Sequence, residues 1–273
     1  MREVITKYGL TAKKKLGQHF LVDEFVLEKI IHSANICDED LVLEIGPGVG
    51  ALTQALAKKA GHVLAVELDS TLVPILKEVF ANDPVTIVQG DILKIDLLAF
   101  IEPFCHMRIK AVANLPYYIT TPVIFHLLEN DFNFESITVM VQKEVANRMA
   151  AKPGTKDYGA LTLSVQYYAD VFLAANVPVN CFMPRPAVDS AVVQLNILKT
   201  PRVNADKEMF FKIVKAAFGK RRKTLLNCLD SFGYSKQELE EKLISIGINP
   251  KIRGEALSIF DFAKLAYVME DGP

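Results

Sequence analysis

The chain has 273 residues, enough for one large domain or for a large domain with a smaller one. Its hydrophobic fraction of 51% excludes an intrinsically disordered chain, and no apolar run approaches the roughly 20 residues that a membrane-spanning helix needs. The net charge of -1 neither predicts nor excludes a nucleic-acid binder, because the positions of the basic residues decide that question.

Four cysteines are scattered singly along the chain, with no Cys-x-x-Cys pair and no histidine at metal-ligand spacing. This pattern argues against a structural zinc site and predicts reduced thiols. The N-terminal residues, Met1 to Val4, lack the basic and then apolar layout of a signal peptide. We therefore expect a cytoplasmic protein that binds no metal and no membrane.

The first half of the chain alternates between helical and strand patterns. The predicted elements are a helix from about Phe25, a strand at 41–45, a helix at 51–60, a strand at 62–66, a helix at 71–80, strands at 85–88 and 109–113, a helix at 121–129 and a strand at 136–141. Alternation at this spacing is typical of βαβ units and predicts a parallel sheet. Strands at 171–177 and 191–197 follow without a helix between them, which predicts an antiparallel pair at the sheet's edge.

The pattern changes near residues 199–201, after which only helical stretches follow. These stretches are 207–218, 224–231, 236–246 and 259–269. The predicted fold class is therefore α/β, with a Rossmann-like catalytic domain at residues 1–199 and a small all-α domain at residues 200–273.

Acidic residues lie at or just after the ends of the first three predicted strands. Glu44 precedes a turn containing Gly46 and Gly48, Glu67 ends the second strand, and Asp91 follows the third. The glycines allow a tight turn and close approach to a ligand, but alone they also fit a dinucleotide fingerprint. A carboxylate at Glu44 suits an amine-bearing ligand, Glu67 suits two ribose hydroxyls, and Asp91 suits an adenine amino group. With nothing basic nearby for a diphosphate, the set favours S-adenosylmethionine over NAD; the alternative is that each acid is an ordinary cap or turn residue.

The fourth predicted strand is followed by a tetrad of residues, Asn114, Leu115, Pro116 and Tyr117. An adenine amino group is a poor nucleophile because its lone pair is delocalised into the ring. The Asn114 side-chain oxygen and the Leu115 carbonyl would accept its two N–H groups and free that lone pair, while Pro116 keeps Leu115 extended. Tyr117 would stack on the base, which is worth about 1–3 kcal/mol. The alternative is a proline-containing turn that happens to carry an asparagine.

Four stretches carry a family resemblance: residues 17–21, 44–50, 114–117 and 182–190. On these, the chain closely resembles the KsgA family of ribosomal RNA adenine dimethyltransferases along essentially its whole length. The resemblance implies S-adenosylmethionine-dependent dimethylation of two adjacent adenosines in the 3′-terminal hairpin of small-subunit (16S) rRNA. It also implies a role in ribosome biogenesis, in an assembling small subunit, and we expect a monomer.

The resemblance further assigns site residues. Those expected to bind the cofactor are His19, Leu21, Glu44, Gly46, Gly48, Glu67, Leu68, Asp91, Ile92 and Asn114. For His19 we expect a backbone contact, because some members of the family carry asparagine there. Phe182 is expected to stack on the target base opposite Tyr117; core packing is the alternative, and the neighbouring prolines favour a rigid exposed loop.

Two basic clusters are expected to contact RNA phosphates, the usual sequence-independent source of affinity for nucleic acids. They comprise Lys13, Lys14 and Lys15, and then Arg221, Arg222 and Lys223. The alternative for any basic run is a solvated face.

Three other functions compete with this interpretation. A large-subunit rRNA adenine dimethyltransferase of the macrolide-resistance type would share fold, cofactor and tetrad, but Leu115 and the 188–192 run favour the small-subunit enzyme. A ribosome assembly factor without catalytic turnover would not need the intact acids. An NAD-dependent dehydrogenase would leave the 114–117 tetrad unexplained.

Overall fold

The computed structural model describes residues 7–9, 13, 17–130, 132–220 and 222–269. Its strands are β1 (Phe20–Leu21), β2 (Asp40–Ile45), β3 (His62–Glu67), β4 (Val85–Gln89), β5 (Arg108–Asn114), β6 (Phe134–Gln142), β7 (Ala169–Val177), β8 (Phe182–Met183) and β9 (Ser190–Ile197). Its helices are α1 (Glu24–Ala34), α2 (Ala51–Ala57), α3 (Val73–Val79), α4 (Leu97–Ile101), α5 (Thr120–Glu129), α6 (Lys143–Met149), α7 (Ala160–Tyr168), α8 (Lys207–Gly219), α9 (Leu225–Cys228), α10 (Lys236–Ser245) and α11 (Ile259–Met269). Short 3₁₀ turns join several of them.

Seven of these strands form one mixed sheet in the order β4-β3-β2-β5-β6-β9-β7. The first five are parallel, and β9 runs antiparallel to β6. Along the chain, β3 and β4 are added on one side of β2, and β5 then pairs with the other side of β2. The loops after β2 and β5 therefore diverge, which opens a crevice at the carboxyl ends of the two central strands.

Local sequence explains why the central elements form where they do. Every residue of β2 is buried, as expected for a strand covered on both faces of a parallel sheet. Helix α1 is capped at its N-terminus by Asp23, whose side chain accepts from the Val26 N–H, and at its C-terminus by Asn35 in the left-handed conformation. The predicted α/β sheet is thus confirmed, with β7 and β9 at its edge.

A buried charge network closes the amino ends of β2 and β5, away from the crevice. The Lys110 ammonium, only 2% exposed, lies 3.0 Å from an Asp40 carboxylate oxygen and 2.7 Å from the Asn35 carbonyl. The other Asp40 oxygen accepts from Arg108 at 3.0 Å. Because both buried charges are paired and hydrogen-bonded, the network is tolerated inside the protein.

The contacts divide the chain into two units, Met1–Ala146 with Val171–Ile197 and Asn147–Asp170 with Leu198–Pro273. The predicted all-α domain covers residues 200–273, whereas the second unit of the structure also contains residues 147–170. The reason is packing: Leu163 and Tyr167 of α7 belong to the same apolar core as Phe210 of α8 and the other C-terminal helices. Among the described residues, no helix is long and apolar enough to cross a membrane.

Candidate active site

Two very short strands bring distant parts of the sequence together at the crevice. Phe20 of β1 pairs with Met183 of β8, and Leu21 pairs with Phe182, in antiparallel register. The Val22 N–H extends the pair by donating to the Cys181 carbonyl at 3.0 Å. The stretches 17–21 and 182–190 are therefore neighbours.

One cleft at the carboxyl ends of β2, β3, β4 and β5 gathers the predicted residues. All ten residues expected to bind the cofactor lie on its walls, and so do Leu115, Pro116, Tyr117 and Phe182. The structure thus brings these residues together, while the individual role of each remains a prediction.

The glycine turn after β2 forms one wall of the cleft. Gly46, Gly48 and Gly50 have φ angles of 70°, 58° and 85°, a region that side chains other than glycine rarely adopt. At Gly50 a Cβ atom would also lie 2.7 Å from the ring of Phe80. The backbone of this turn is therefore available to a ligand at close range.

Glu67 joins this turn to the end of β3. One of its carboxylate oxygens accepts the Gly48 N–H at 3.0 Å, and the other accepts the Asp69 N–H at 2.7 Å. Burial raises the pKa of Glu67, while these two N–H groups act in the opposite direction. Each oxygen keeps a second lone pair with which it can accept a hydroxyl from a ligand.

Glu44 is the most deeply buried acid of the cleft, at 1% exposure. Its Oε2 atom has no hydrogen-bond partner among the described residues. Burial raises its pKa to about 8, and the nearby Glu67 carboxylate adds to the increase. A buried carboxylate oxygen without a donor is costly, so this position fits a ligand that brings an ammonium group.

Asp91 lies beside the apolar residue Ile92, after β4. Its carboxylate accepts the Leu93 N–H at 3.1 Å and lies 3.4 Å from the exposed Lys94 ammonium. The acid therefore caps the local turn, as the alternative interpretation expected, and also lines the cleft.

A hydrogen bond orients the tetrad at the end of β5. The Asn114 amide nitrogen donates to the His19 carbonyl at 3.1 Å, which identifies Oδ1 as the free acceptor of this side chain. Pro116 has an extended backbone with φ -56° and ψ 134°, and its own carbonyl accepts the Ile119 N–H at 3.2 Å. None of the described backbone N–H groups outside the regular helices and strands donates to the Leu115 carbonyl. Asn114 Oδ1 and the Leu115 carbonyl are thus two neighbouring acceptors.

The side chain of Tyr117 is held from two sides. Its hydroxyl lies 2.8 Å from the Ser190 hydroxyl, and its ring stacks with that of His19 at 5.9 Å between centroids. Burial raises the pKa of Tyr117. The His19 ring also donates from Nδ1 to the Pro184 carbonyl at 2.8 Å, because a carbonyl can only accept. The His19 backbone thus orients Asn114 and its ring contacts Tyr117 and Pro184, while its expected backbone contact with the cofactor stays a prediction.

Phe182 is placed differently from our expectation of an exposed loop. It lies in β8, is only 4% exposed, and packs in the same apolar core as Leu21 and Val26. The reason is its pairing with β1, which turns the ring inward and exposes Met183 instead. The predicted exposure is wrong; the predicted stacking role is not tested by this position.

A model of the ribosomal RNA adenine dimethylase family matches residues 9–271 of this chain. The chain belongs to the ribosomal RNA adenine dimethylase family. It is similar to the ribosomal RNA small subunit methyltransferase A of Lachnoclostridium phytofermentans, at 50% identity over 98% of this chain and 95% of the relative. The protein of the same description from Clostridium acetobutylicum is 48% identical, with 97% and 96% of the two chains covered.

Solved structures agree with this membership. A dimethyladenosine transferase from Plasmodium falciparum has a TM-score of 0.79 and 28% identity, over 93% of this chain and 98% of that one. The 23S rRNA methyltransferase ErmE has a TM-score of 0.71 and 25% identity, over 92% and 99%. The predicted enzyme class is confirmed: as a dimethylase, the chain is an S-adenosylmethionine-dependent methyltransferase.

The predicted RNA-binding residues of this dimethylase are not all free cations. The Lys13 ammonium lies 2.7 Å from an Asp69 carboxylate oxygen. Arg222 and Lys223 are exposed, in the second unit, at the turn between α8 and α9. Lys14, Lys15 and Arg221 lie outside the described residues.

Gln18 and Asp69 are not among the site residues predicted from the sequence. Asp69 is buried, two positions after Glu67, and binds Lys13, Gln18 and Thr71 through its side chain. In the sequence, the only indication of a role for Asp69 is its position two residues after Glu67. Its partners Lys13 and Gln18 come close to it only in the folded chain.

Proposed function

We propose that this dimethylase transfers two methyl groups to the 6-amino group of each of two adjacent adenosines in the 3′-terminal hairpin of small-subunit rRNA. One observation carries the proposal: the Asn114 amide, oriented by the His19 carbonyl, lines the same cleft as Glu44, Glu67 and Asp91. An acceptor for an amine thus lies beside a set of acids suited to S-adenosylmethionine.

The cofactor fits the residues present. Glu44, with its unpartnered buried oxygen, would accept the amino group of the methionine portion, and Glu67 would accept the ribose hydroxyls. Asp91, Ile92 and Leu68 would hold the adenine, the acid through its amino group and the others by apolar contact. When bound, S-adenosylmethionine supplies an electrophilic methyl group on a sulfonium.

The chain's own contribution to transfer is to orient the target amine. Asn114 Oδ1 and the Leu115 carbonyl accept the two N–H groups, which draws the nitrogen toward a tetrahedral shape and frees its lone pair. On accepting the methyl group, the target nitrogen would become cationic, and it would then release one proton to water. An uncharged Asn114 remains compatible with the second transfer, when the amine already carries one methyl and only one N–H. Positioning supplies much of the acceleration.

Aromatic residues would hold the base. The Tyr117 ring is oriented by its bond to Ser190, so it offers a face to the adenine. Phe182 would supply the opposite face; because its ring is packed in the core, the entering base must meet it at the floor of the cleft. Arg221, Arg222 and Lys223, together with Lys14 and Lys15, would contact RNA phosphates.

The small-subunit substrate is favoured over the large-subunit one by degree of similarity. The relatives at 46–50% identity are described as small-subunit methyltransferases, whereas the 23S enzyme is 25% identical. We further propose that the substrate is an assembling small subunit, that the enzyme acts as a monomer, and that it works in the cytoplasm.

The test supplies labelled S-adenosylmethionine and unmethylated small ribosomal subunits to the purified full-length chain. The rRNA is then digested and dimethyladenosine is quantified, with unmethylated large subunits treated in parallel. We expect four methyl groups per small subunit and none in the large subunit. Label only in large-subunit rRNA would overturn the substrate, and tight cofactor binding without any transfer would support an assembly factor instead.

A variant tests the catalytic assignment separately. Asn114→Ala should abolish transfer while the Kd for S-adenosylmethionine stays within a few-fold, because the amide serves the target amine more than the cofactor. A large loss of cofactor binding would show that Asn114 has a different role.

A further inference from the structure

A buried carboxylate ties the N-terminal part of the chain to the end of β3. One Asp69 oxygen lies 2.7 Å from the Lys13 ammonium, and the other accepts the Gln18 amide N–H at 3.3 Å. The Lys13 backbone N–H donates to the Gln18 side-chain oxygen at 2.8 Å, which joins the two partners to each other. Thr71 completes the shell of Asp69 with its own N–H and hydroxyl.

The same residue is connected to the cleft through its backbone. The Asp69 N–H donates to one Glu67 oxygen at 2.7 Å, and the other Glu67 oxygen accepts from Gly48. The chain of contacts therefore runs from Lys13 through Asp69 to Glu67 and on to the glycine turn. Lys13 itself does not line the cleft, whereas Gln18 and Glu67 do.

The ion pair is needed because Asp69 is only 5% exposed. Burial alone would raise the pKa of Asp69, but the bonds from Lys13, Thr71 and Gln18 outweigh burial and hold the pKa below its ordinary value. Removing the ammonium would leave a buried carboxylate with two neutral partners, a costly arrangement that the local backbone relieves by moving.

We propose that Lys13, Gln18 and Asp69 form a positioning network for the cofactor site, and that Lys13 serves this network instead of contacting RNA phosphates. Through Asp69 the network fixes Glu67, and through Gln18 it fixes the wall formed by residues 17–21. The inference rests on the proposed role of Glu67 toward the ribose of S-adenosylmethionine, and it replaces our sequence-based expectation for Lys13.

The test measures the Kd of S-adenosylmethionine by calorimetry on the full-length protein, without RNA. Lys13→Met should raise the Kd about fivefold and Asp69→Asn about tenfold, in line with loss of a charge-assisted hydrogen bond. The double variant should be no weaker than Asp69→Asn alone, because both changes break one interaction. Lys13→Arg should restore most of the affinity.

A matched control is available nearby. Lys7 forms a 3.5 Å ion pair with Glu78, and both side chains are about two-thirds exposed, at 67% and 64%. Lys7→Met removes the same charge from the same part of the chain without touching Asp69. Its Kd for S-adenosylmethionine should equal that of the wild type, which separates the network from a general charge effect.

Steady-state kinetics with small subunits distinguish the network from an RNA contact. In Lys13→Met we expect a higher KM for S-adenosylmethionine, with the KM for RNA and its salt dependence unchanged. A raised KM for RNA with a shallower salt dependence would overturn the inference. Glu67→Gln separates the two proposals. If this variant keeps its affinity for S-adenosylmethionine, the ribose role of Glu67 is refuted. If Glu67→Gln loses affinity but Lys13→Met does not, only the positioning network is refuted.

Discussion

The pKa of Glu44 leads to a prediction in which stability and function move in opposite directions. The change is Glu44→Gln, which keeps the shape of the side chain and removes its ability to ionise. In the folded protein without ligand, burial raises the pKa of Glu44 from 4.5 to about 8. At neutral pH this carboxyl is therefore mostly protonated when folded and ionised when unfolded.

The sign of the effect follows from proton binding. Between pH 4.5 and 8 the folded state holds a proton that the unfolded state has released, so the free energy of unfolding falls as pH rises through this range. Between the unfolded pKa and the folded pKa, the free energy of unfolding falls by about 1.4 kcal/mol for each pH unit. The loss thus reaches about 3 kcal/mol at pH 7 and about 4 kcal/mol at pH 8.

Glu44→Gln removes this loss. Without cofactor, the variant should match the wild type near pH 4.5 and exceed its free energy of unfolding by about 3 kcal/mol at pH 7. Urea denaturation at half-unit steps from pH 5 to pH 8 measures the difference. The same variant should bind S-adenosylmethionine at least about tenfold more weakly, since an amide cannot neutralise an ammonium group.

Two results would refute the reasoning. A variant that is less stable than the wild type at pH 7 would mean that Glu44 is ionised and stabilised in the folded state. Parallel pH dependences of the two proteins would mean that another group causes the titration. Unchanged cofactor affinity would separately refute the proposed contact with the amino group.

Three further changes test other parts of the structure. His19→Ala should lower kcat about tenfold, because it removes one hydrogen bond and a ring contact. His19→Asn keeps a donor at the place of Nδ1 and should therefore retain most of the wild-type kcat. Equal kcat values for the two variants would argue against the side-chain contact. Tyr117→Phe should lower kcat/KM for RNA about fivefold at unchanged cofactor Kd, and adding Ser190→Ala should cost nothing more; additive losses would mean that the two hydroxyls act independently. Lys110→Met leaves Asp40 buried beside fewer donors and should lower the free energy of unfolding by about 3 kcal/mol in urea, without changing cofactor affinity; a neutral effect would contradict the buried pair.

The order of the central elements was predictable because the causes are local. The apolar runs that became β2 and β3 and the helical periodicity of α8 and α11 are properties of short stretches. The parallel sheet follows from their alternation, and the placement of Glu44, Glu67, Asp91 and Asn114 follows from the sheet, because the carboxyl ends of parallel strands meet at one edge. Residue types at strand ends were therefore enough to predict the cleft.

Short elements and long-range pairs were not predictable. β1 and β8 have two residues each, too few for any periodicity, and they exist only because each pairs with the other across about 160 positions of sequence. Likewise, no helix is predicted from the sequence at the position of α7, and only its packing against Phe210 shows that it belongs with the C-terminal helices. The predicted boundary at residues 199 and 200 missed this segment for that reason.

The tetrad at residues 114–117 shows most clearly which features the sequence predicts and which depend on the tertiary structure. Its residue types and its place after a strand were enough to predict an acceptor for an amine. Only the folded chain shows that the His19 carbonyl orients the Asn114 amide, that Phe182 is buried by strand pairing, and that Lys13 is neutralised by Asp69. Orientation, burial and ion pairing depend on atoms contributed by residues far apart in the sequence, and the tertiary structure alone brings those atoms within hydrogen-bond distance.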